Sequence, residues 1–450
     1  MRSPRRRLLR PRASLLSFTL AALACDRPPS VAPAARPEAR PIAADTEAPP
    51  AATEPHAAAD PDRIDEASAR EETDRILHAV AKARNLAVRS EVAVDVIDKP
   101  GIRAFAKDSM YEFTTPDEMR MLGRIESALG VVPPGSDPEA VILELLEQGV
   151  LGLYDPKRKT LFIGDFVPKS MLSMVVGHEI AHGLQDMYFD LHKLQEPMRH
   201  ASDAESARRF LIEGEAQAAY LAWVSGDAGV AALAEPVLQA MSDQALELAG
   251  VASAYPILAR SLQMPYADGA ATVARLVQRD GWGAIDKLYE KLPESTEQML
   301  HIDKLLARER PLPVEVDAEA LAPLMGPAGL RMVWHDDIGE ATLLAMLAER
   351  RDTREARAAA AGWGGDHFLA FEREAGKPGA TMLAAATAWD SPRDAEEFER
   401  AFSQYLAEHT PGAHVIERRA HKVVFAVGIP DGIDPVALRK ALWRGTHVGK

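Results

Sequence analysis

The sequence contains a single cysteine, Cys25, in 450 residues. One thiol cannot form a disulfide within the chain, so the fold must be held together by packing, ion pairs or a bound metal. This cysteine lies close to the N-terminus, ahead of every segment that has a globular pattern. Thiol catalysis is therefore excluded in any mature form in which the cysteine is acylated or removed.

Positive charge is also scarce. Lysine and arginine number 52 against 67 aspartates and glutamates, and the formal net charge is −15. The chain therefore lacks the basic excess that binds nucleic acid, and we expect no nucleic-acid partner. Neither a P-loop nor a glycine-rich dinucleotide fingerprint is present, which argues against a nucleotide-dependent enzyme.

The N-terminus differs from the rest because its first twelve residues include six arginines. An apolar run follows at residues 13–24 and ends just before Cys25. It is too short to span a bilayer, which takes roughly 20 apolar residues, but it has the length of a signal-peptide core. We therefore predict a signal peptide at residues 1–24 and export of the protein.

The small residues directly before Cys25 resemble a bacterial lipobox, in which the cysteine is acylated and becomes the new N-terminus. Ala22 stands where the usual box prefers leucine, and Leu23 follows it. The resemblance implies lipidation at Cys25 and a cell-envelope lipoprotein, periplasmic or on the outer face, that contacts the membrane through its lipid. The alternative is an ordinary signal peptide with an incidental cysteine.

Residues 25–62 are rich in alanine, proline and acidic residues and contain almost no large apolar side chain. Such a segment buries too little surface to offset the entropy that ordering costs. We predict a disordered tether, kept extended by its prolines, between the lipidated cysteine and the folded part.

The remaining chain divides near residue 310. Residues 63–310 are predicted to be mainly helical, with strands at 91–97 and 160–163, a turn at 152–156, and Ser170 as the cap of a long helix. Residues 311–450 have a β-β-α-β-β order, which predicts a small antiparallel sheet under a helix. The fold class is α+β, mainly helical, with helices expected at 64–83, 116–129, 138–148, 170–191, 203–223, 231–248, 269–279, 283–291, 295–306, 338–350 and 393–407.

The strongest chemical signal is the run His178-Glu179-Ile180-Ala181-His182, which follows an apolar stretch. On a helix, the two histidines face the same side one turn apart and can bind one Zn²⁺. Glu179 is rotated by about 100° from His178 and can act as a general base on a water beside the metal. The alternative is a solvated helix with two incidental histidines.

A catalytic zinc site needs a third protein ligand. The apolar segment 210–217 has two acids in its middle, Glu213 and Glu215. They lie about 200° apart around a helix, so only one can face the same metal. Spacing alone leaves both open, and the acid that does not bind is expected to be solvated at the surface.

This arrangement resembles the gluzincin metallopeptidases, relatives of thermolysin and the aminopeptidases. Their third ligand is a glutamate with a small residue three places later, in patterns such as Glu-Gly-x-Ala. Residues 213–216, Glu-Gly-Glu-Ala, match that pattern. The resemblance implies Zn²⁺ held by His178, His182 and Glu213, and it favours Glu213 over Glu215.

The match departs from the thermolysin-like pattern at Gln217. Those enzymes have an aspartate four places after the ligand glutamate, and it orients a ligand histidine. A neutral amide stands there in this chain.

A closer resemblance covers most of the chain after the tether. It is to a family of largely uncharacterised bacterial and archaeal secreted proteins with the same HExxH motif. This resemblance implies a zincin-like metallopeptidase core followed by an appended α+β domain, and it indicates no substrate. The matching stretches are residues 152–156, 178–186, 213–216, 265–266, 295–298, 339–340, 362–366 and 389–390.

Zinc hydrolases also use a donor that stabilises the oxyanion of the tetrahedral intermediate. The candidates are Tyr266 and His301. Tyr266 is otherwise a core tyrosine, and His301 is otherwise a surface histidine or a fourth ligand that closes the site.

We therefore predict a zinc-dependent peptidase that acts on a peptide or protein substrate and is anchored to the cell envelope. The alternative is a non-catalytic metal-binding or protein-binding lipoprotein on the same scaffold. A third possibility, an envelope assembly protein with a fortuitous motif, requires Glu213 to lie far from His178 and His182.

Overall fold

A computed structural model describes residues 64–449 except 227–228, 231–233, 350, 374–380 and 411. The predicted signal peptide, the lipidation site at Cys25 and the tether lie outside the described residues. Within the described residues, no helix is both long enough and apolar enough to cross a bilayer.

The α+β class, mainly helical, is confirmed. Twelve helices of the described residues precede residue 310, and a five-stranded sheet follows it. Helices α1 to α12 are, in chain order, Glu66–Arg84, Lys99–Phe113, Pro116–Ala128, Pro138–Gly149, Lys169–Phe189, Leu191–Leu194, Ser202–Val224, Glu235–Ala252, Pro256–Asp280, Gly283–Glu290, Thr296–Leu300 and Ile302–Ala307.

The helical predictions differ from the structure at three main places before residue 310, and the helices at Ala318–Met325 and Pro435–Gly445 were not predicted either. Helix α2 had no predicted counterpart, although Asp98 caps it by accepting from the Gly101 N–H at 2.8 Å. Helix α9 begins well before residue 269 because it continues through Pro265. The predicted helix at 295–306 is two helices, since His301 adopts an extended backbone between them.

A three-stranded sheet lies beside the central helices, in the order β1-β3-β2. Strands β1 (Ala93–Ile97) and β3 (Thr160–Gly164) are parallel, while β2 (Gly152–Asp155) runs antiparallel to β3. The prediction of a turn at 152–156 was therefore wrong for most of its length, because Gly152 to Asp155 pair with Ile163 to Thr160. Strand β2 forms one edge of this sheet.

Helix α5 is enclosed along most of its length, and every residue from Val175 to Asp186 is buried. The apolar residues before the histidines explain this burial, since they pack with α1, β1 and β3 in one cluster. Ser170 is not the cap. The helix begins at Lys169 after Pro168, and no side chain caps it.

Helices α7 and α9 cross at two glycines. A Cβ on Gly214 would lie 2.8 Å from the Cα of Gly269 and closer still to its carbonyl group. Only glycine permits such an approach of two backbones. The crossing therefore fixes the position of α7 relative to α9 at the helical turn that carries Glu213.

The chain after residue 310 contains the predicted β-β-α-β-β unit, and its antiparallel sheet has a fifth strand that the prediction lacked. Its order is β5-β6-β7-β9-β8, and every neighbouring pair is antiparallel. The elements after residue 310 are β4 (Val314–Val316), α13 (Ala318–Met325), β5 (Arg331–Asp336), α14 (Glu340–Leu347), α15 (Thr353–Ala360), β6 (Trp363–Glu372), β7 (Thr381–Trp389), α16 (Pro392–His409), β8 (Ala413–Arg419), β9 (Lys422–Ile429), α17 (Pro435–Gly445) and β10 (Thr446–Val448).

Helices cover both faces of this sheet. Phe398 and Phe402 of α16 pack on one face, and Leu438 and Leu442 of α17 pack on the other. The segment 362–366 is mostly strand: only Gly362 has a positive φ, and β6 begins at Trp363.

The largest hydrophobic cluster includes residues from both sides of residue 310. Met299 and Leu305 belong to it together with Trp334, Ile338 and Leu343. The division into domains at 63–310 and 311–450 therefore stays a prediction, and the two parts share a core.

Candidate metal centre

The structure brings His178, His182 and Glu213 together. The His178 Nε2 lies 3.4 Å from the Glu213 Oε2, and the His182 Nε2 lies 3.2 Å from the same oxygen. The two imidazole rings, one helical turn apart on α5, have centroids 5.0 Å apart and planes at 85°. All three side chains are buried.

These separations fit a tetrahedral metal. Zinc bonds to nitrogen and oxygen of about 2.0–2.2 Å place neighbouring ligand atoms about 3.3–3.6 Å apart. The three ligand atoms also lie within 4.8 Å of one another. Among the described residues, no fourth histidine, cysteine or carboxylate joins this group.

Burial and mutual pairing shift the pKa values of all three residues. Burial alone would raise the pKa of Glu213, but the two imidazoles outweigh it and lower that pKa to about 2. Burial lowers the pKa of His178. It also acts to lower the pKa of His182, but Glu213 reverses the effect and raises this pKa to about 9.

Several buried polar atoms of this cluster have no hydrogen-bond partner among the described residues. They are the His178 Nε2, the Glu179 Oε1, both carboxylate oxygens of Glu213 and the Tyr266 hydroxyl. Buried polar groups are nearly always paired, so a cluster of unpaired ones needs an ion or water to explain it. This donor set, one imidazole nitrogen and carboxylate oxygens, suits a divalent cation.

The Nδ1 atom of each of the two histidines contacts the side chain of a glutamine. The His178 Nδ1 lies 3.1 Å from the Gln217 Oε1, and the His182 Nδ1 lies 2.8 Å from the Gln185 Oε1. Metal-binding histidines usually have such a partner, which fixes the orientation of the ring. Sequence reasoning identified Gln217 and missed Gln185, although its position three residues after His182 places it on the same helical face.

Glu179 lies beside the cluster. Its Oε2 accepts a hydrogen bond of 2.9 Å from the Tyr154 N–H on the edge strand β2, while its Oε1 is unpaired. Burial raises the pKa of Glu179 to about 8, against the opposing effect of His182. One oxygen is thus held by the backbone, and the other has no hydrogen-bond partner among the described residues.

Tyr266 also reaches the cluster. Its ring centroid lies 5.5 Å from that of His178, and its buried hydroxyl has no hydrogen-bond partner among the described residues. Burial, followed by the charges of Glu213 and Glu179, raises the pKa of Tyr266 well above its usual value. The phenol therefore keeps its proton at neutral pH and can donate a hydrogen bond.

The structure does not bring His301 to the cluster. Its Nε2 lies 2.8 Å from the Glu340 Oε1, and this contact with an acid on α14 raises the pKa of His301 against the effect of burial. His301 is thus neither a fourth ligand nor a donor near the two α5 histidines.

Glu215 is not at the surface, as was expected for the acid that is not a ligand. Its side chain is 1% exposed, and its Oε1 lies 2.5 Å from the Arg84 Nε. The helical rotation that turns Glu215 away from His178 and His182 turns it towards α1 instead, where it forms an ion pair with Arg84. The prediction of a solvated acid was wrong because α7 is buried on both sides.

A cleft of about 130 Å³ reaches this centre, and Glu179, His182 and Glu213 line its inner end. Its walls come from α2, α4, β2 and the turn after α6. They are mainly apolar and include Phe105 and Leu153. An apolar cleft ending at a few polar groups is the usual form of a small-molecule or side-chain pocket.

A second group of acids could hold a metal by distance alone: Glu297, Glu309 and Asp390. The Lys304 Nζ lies 2.5 Å, 2.9 Å and 2.6 Å from their carboxylates. An ammonium group therefore already neutralises this cluster, which makes it an ion-pair network rather than a metal site.

Comparison with known proteins bears on the C-terminal part. A family model described as a domain of unknown function, DUF8575, matches residues 330–444. The match covers about a quarter of the chain and assigns no activity. It does not include the histidines of α5 or Glu213. No curated protein and no solved structure matches the chain.

Proposed function

We propose that this protein is a zinc-dependent peptidase of the gluzincin type, built on a zincin-like core. The observation that carries the proposal is the convergence of His178, His182 and Glu213 on one buried point, with Nε2-to-Oε2 separations of 3.2 Å and 3.4 Å. The reading as a fortuitous motif required Glu213 to be distant from the histidines, and these separations count against it.

The two imidazoles and the Glu213 carboxylate would hold the metal. A zinc ion bound there supplies Lewis acidity, which polarises a peptide carbonyl and lowers the pKa of a neighbouring water. The apolar cleft would receive a substrate side chain and exclude bulk water, which strengthens the electrostatic effects within it.

Glu179 is the proposed general base. Its unpaired Oε1 takes a proton from a water in the cleft, and the water oxygen forms a bond to the carbonyl carbon of the substrate. Glu179 then delivers the proton to the amide nitrogen as the C–N bond breaks, which releases an amine and a carboxylic acid. The Tyr154 N–H holds the other carboxylate oxygen in place throughout.

Tyr266 is the proposed oxyanion donor. Its buried, unpaired hydroxyl donates to the carbonyl oxygen as negative charge develops there. His301 has no part in this proposal because Glu340 already engages it.

A second candidate is a non-catalytic metal-binding or protein-binding protein on the same scaffold. The observation that favours it is that both ligand histidines pair with neutral glutamine amides instead of carboxylates. Carboxylate partners raise the basicity of a ligand imidazole more strongly than amides do.

The proposal extends to location on the basis of the sequence. Residues 1–24 would direct export, and acylation of Cys25 would anchor the protein to the cell envelope through the tether at 25–62. Its partners would then be a peptide or protein substrate and a membrane reached through the lipid.

The test compares the purified protein with its Glu179→Gln variant in zinc content and in hydrolysis of casein-type substrates. We expect about one zinc per chain in both and a loss of activity of about 10²–10⁴-fold in the variant, because only the general base is removed. Glu309→Gln, in the ion-pair network around Lys304, is the matched control and should retain both properties. Zinc binding by both proteins without any hydrolysis would instead favour the non-catalytic candidate.

A further inference from the structure

A buried hydrogen-bond network links helix α1 to the ligand His182. Arg84, the last residue of α1, donates from Nε to the Glu215 Oε1 at 2.5 Å. The Gln185 Nε2 donates to the Glu215 Oε2 at 2.9 Å, and the Tyr289 hydroxyl donates to the same oxygen at 2.5 Å. Arg84 and Glu215 are each 1% exposed, so water does not compete for these bonds.

The network fixes which way the Gln185 amide faces. Its Nε2 lies 2.9 Å from the Ile212 carbonyl oxygen and 2.9 Å from the Glu215 carboxylate. Both groups can only accept, so the atom that faces them must be the amide nitrogen. The amide oxygen therefore faces the His182 Nδ1, 2.8 Å away.

An amide oxygen can only accept, so the His182 Nδ1 must carry the proton. The Nε2, on the side of Glu213, is then the nitrogen available to a metal. Gln217 differs, because it has no second hydrogen bond among the described residues that would fix its orientation beside His178.

We propose that Arg84, Glu215 and Gln185 form a positioning relay that sets His182 as an Nε2 metal ligand. This inference rests on the proposed zinc site. It adds three positioning residues, of which only Gln185 contacts a proposed metal ligand, His182. Arg84 holds the Glu215 carboxylate in place, Glu215 holds the amide nitrogen of Gln185, and Gln185 holds the ring of His182. In the Glu-Gly-Glu-Ala pattern, Glu213 is thus the proposed metal ligand and Glu215 is a residue that helps to position another ligand, His182.

The decisive variant is Glu215→Gln. The new amide has the same shape, but it carries no charge and its nitrogen can only donate. Of the two acceptors that fix the Gln185 amide, the Ile212 carbonyl then remains and the carboxylate is lost, so the hold on the amide is weakened. Zinc affinity, measured by competition with a chelator on the full chain, should fall by about 10–100-fold. The visible absorption of the Co²⁺-loaded protein should also change, because the coordination geometry depends on the ring of His182.

Asp286→Asn is the matched control. Asp286 also pairs with Arg84, at 2.6 Å, but its side chain is 43% exposed and does not contact Gln185. This variant should keep its zinc affinity within about twofold of the parent, since the bond between Glu215 and Gln185 remains. A Gln185→Met variant leaves the pair of Arg84 and Glu215 intact and should lose affinity as Glu215→Gln does.

The outcomes separate this inference from the proposed function. A parent protein without a zinc site would remove both. A parent that binds one zinc, with equal affinity and an equal Co²⁺ spectrum in Glu215→Gln, would overturn the relay alone. If Glu215→Gln does not fold, Gln185→Met decides, and parental zinc affinity in that variant would overturn the proposal.

Discussion

At the scale of single residues, the candidate centre contains buried polar atoms that have no hydrogen-bond partner among the described residues. The Glu213 Oε1 and the Glu179 Oε1 are buried without a hydrogen-bond partner among the described residues, and each such atom costs about 1–3 kcal/mol. The Glu213 Oε2 lies within ion-pair distance of both imidazoles, at 3.2 Å and 3.4 Å. A cation between these residues would give the unpaired Glu213 oxygen a partner, and its binding would offset part of that cost.

A second group, of buried aspartates, makes the free energy of unfolding depend on pH. Asp203 and Asp366 are buried, and the Asp203 N–H donates to Asp337 at 2.7 Å. Burial, then the charge of Asp366, raises the pKa of Asp203 to about 7, while hydrogen bonds from Thr296 oppose this. Burial raises the pKa of Asp366 to about 6. These acids hold protons in the folded state that the unfolded chain has already lost.

The sign of the pH effect follows from these raised pKa values. Between about pH 4 and pH 7 these two acids bind more protons in the folded state than in the unfolded state, so their contribution to the free energy of unfolding falls as pH rises. Asp203→Asn should reduce that fall by about 2–4 kcal/mol, measured by urea unfolding at pH 4.5 and pH 7.5. The exposed Asp108→Asn is the control. Equal slopes for Asp203→Asn and the parent would contradict the account.

At the scale of elements, the regular patterns were predictable and the exceptions had local causes. The helix that carries His178 and His182 follows from its apolar run, and the helix that carries Glu213 follows from its 3.6-residue period. Strand β2 was not predicted because it has only four residues. They include residue types that are common in turns, and they show no alternation of apolar and polar side chains. The early start of α9 was missed because Pro265 normally interrupts a helix, and here the helix continues through it.

The sequence predicts the part of the candidate site that depends on local spacing, and it does not predict the contacts between distant residues. The ligand set lies on two helices and can be found from spacing and family resemblance. The contacts of Glu215 and Gln185 with Arg84 and His182 join residues that are distant in the chain, so no local pattern indicates them. His301 was misplaced because its partner, Glu340, lies on a helix after residue 310.

The crossing of α7 and α9 yields a prediction about an element. Gly214→Ala gains about 1 kcal/mol of helix propensity, but the new methyl group overlaps the backbone of Gly269. Overpacking of this kind costs about 1–3 kcal/mol or more, so we expect a net loss of stability and weaker zinc binding as Glu213 shifts. Gly283→Ala, where a Cβ meets no atom within 4 Å, is the control. Thermal unfolding and zinc titration of both variants provide the measurement, and equal behaviour would contradict the predicted clash.

At the scale of the whole molecule, the candidate metal centre and the part matched by DUF8575 are separate in sequence but share a core. Met299 and Leu305 pack in the same cluster as Trp334 and Ile338. Removing the second part would expose this apolar surface to water, at about 25 cal/mol per Å². The predicted boundary near residue 310 therefore marks a change of architecture within one hydrophobic core.

This shared core predicts the behaviour of a fragment. Residues 63–310 alone should unfold without a cooperative transition and bind zinc at least tenfold more weakly than the whole protein, because α11 and α12 lose their packing partners. Circular dichroism during heating and zinc titration test this expectation. A fragment that unfolds cooperatively and has the affinity of the parent would show that the first part is an independent domain.

The central claim is that zinc binds between α5 and α7. Crystals of the zinc-loaded protein, measured at the zinc absorption edge, test it most directly. We predict one strong anomalous peak bonded to the Nε2 atoms of His178 and His182 and to the Glu213 carboxylate, and the loss of that peak in Glu213→Ala. A peak at Glu297, Glu309 and Asp390 instead, or no peak in the parent, would contradict the account.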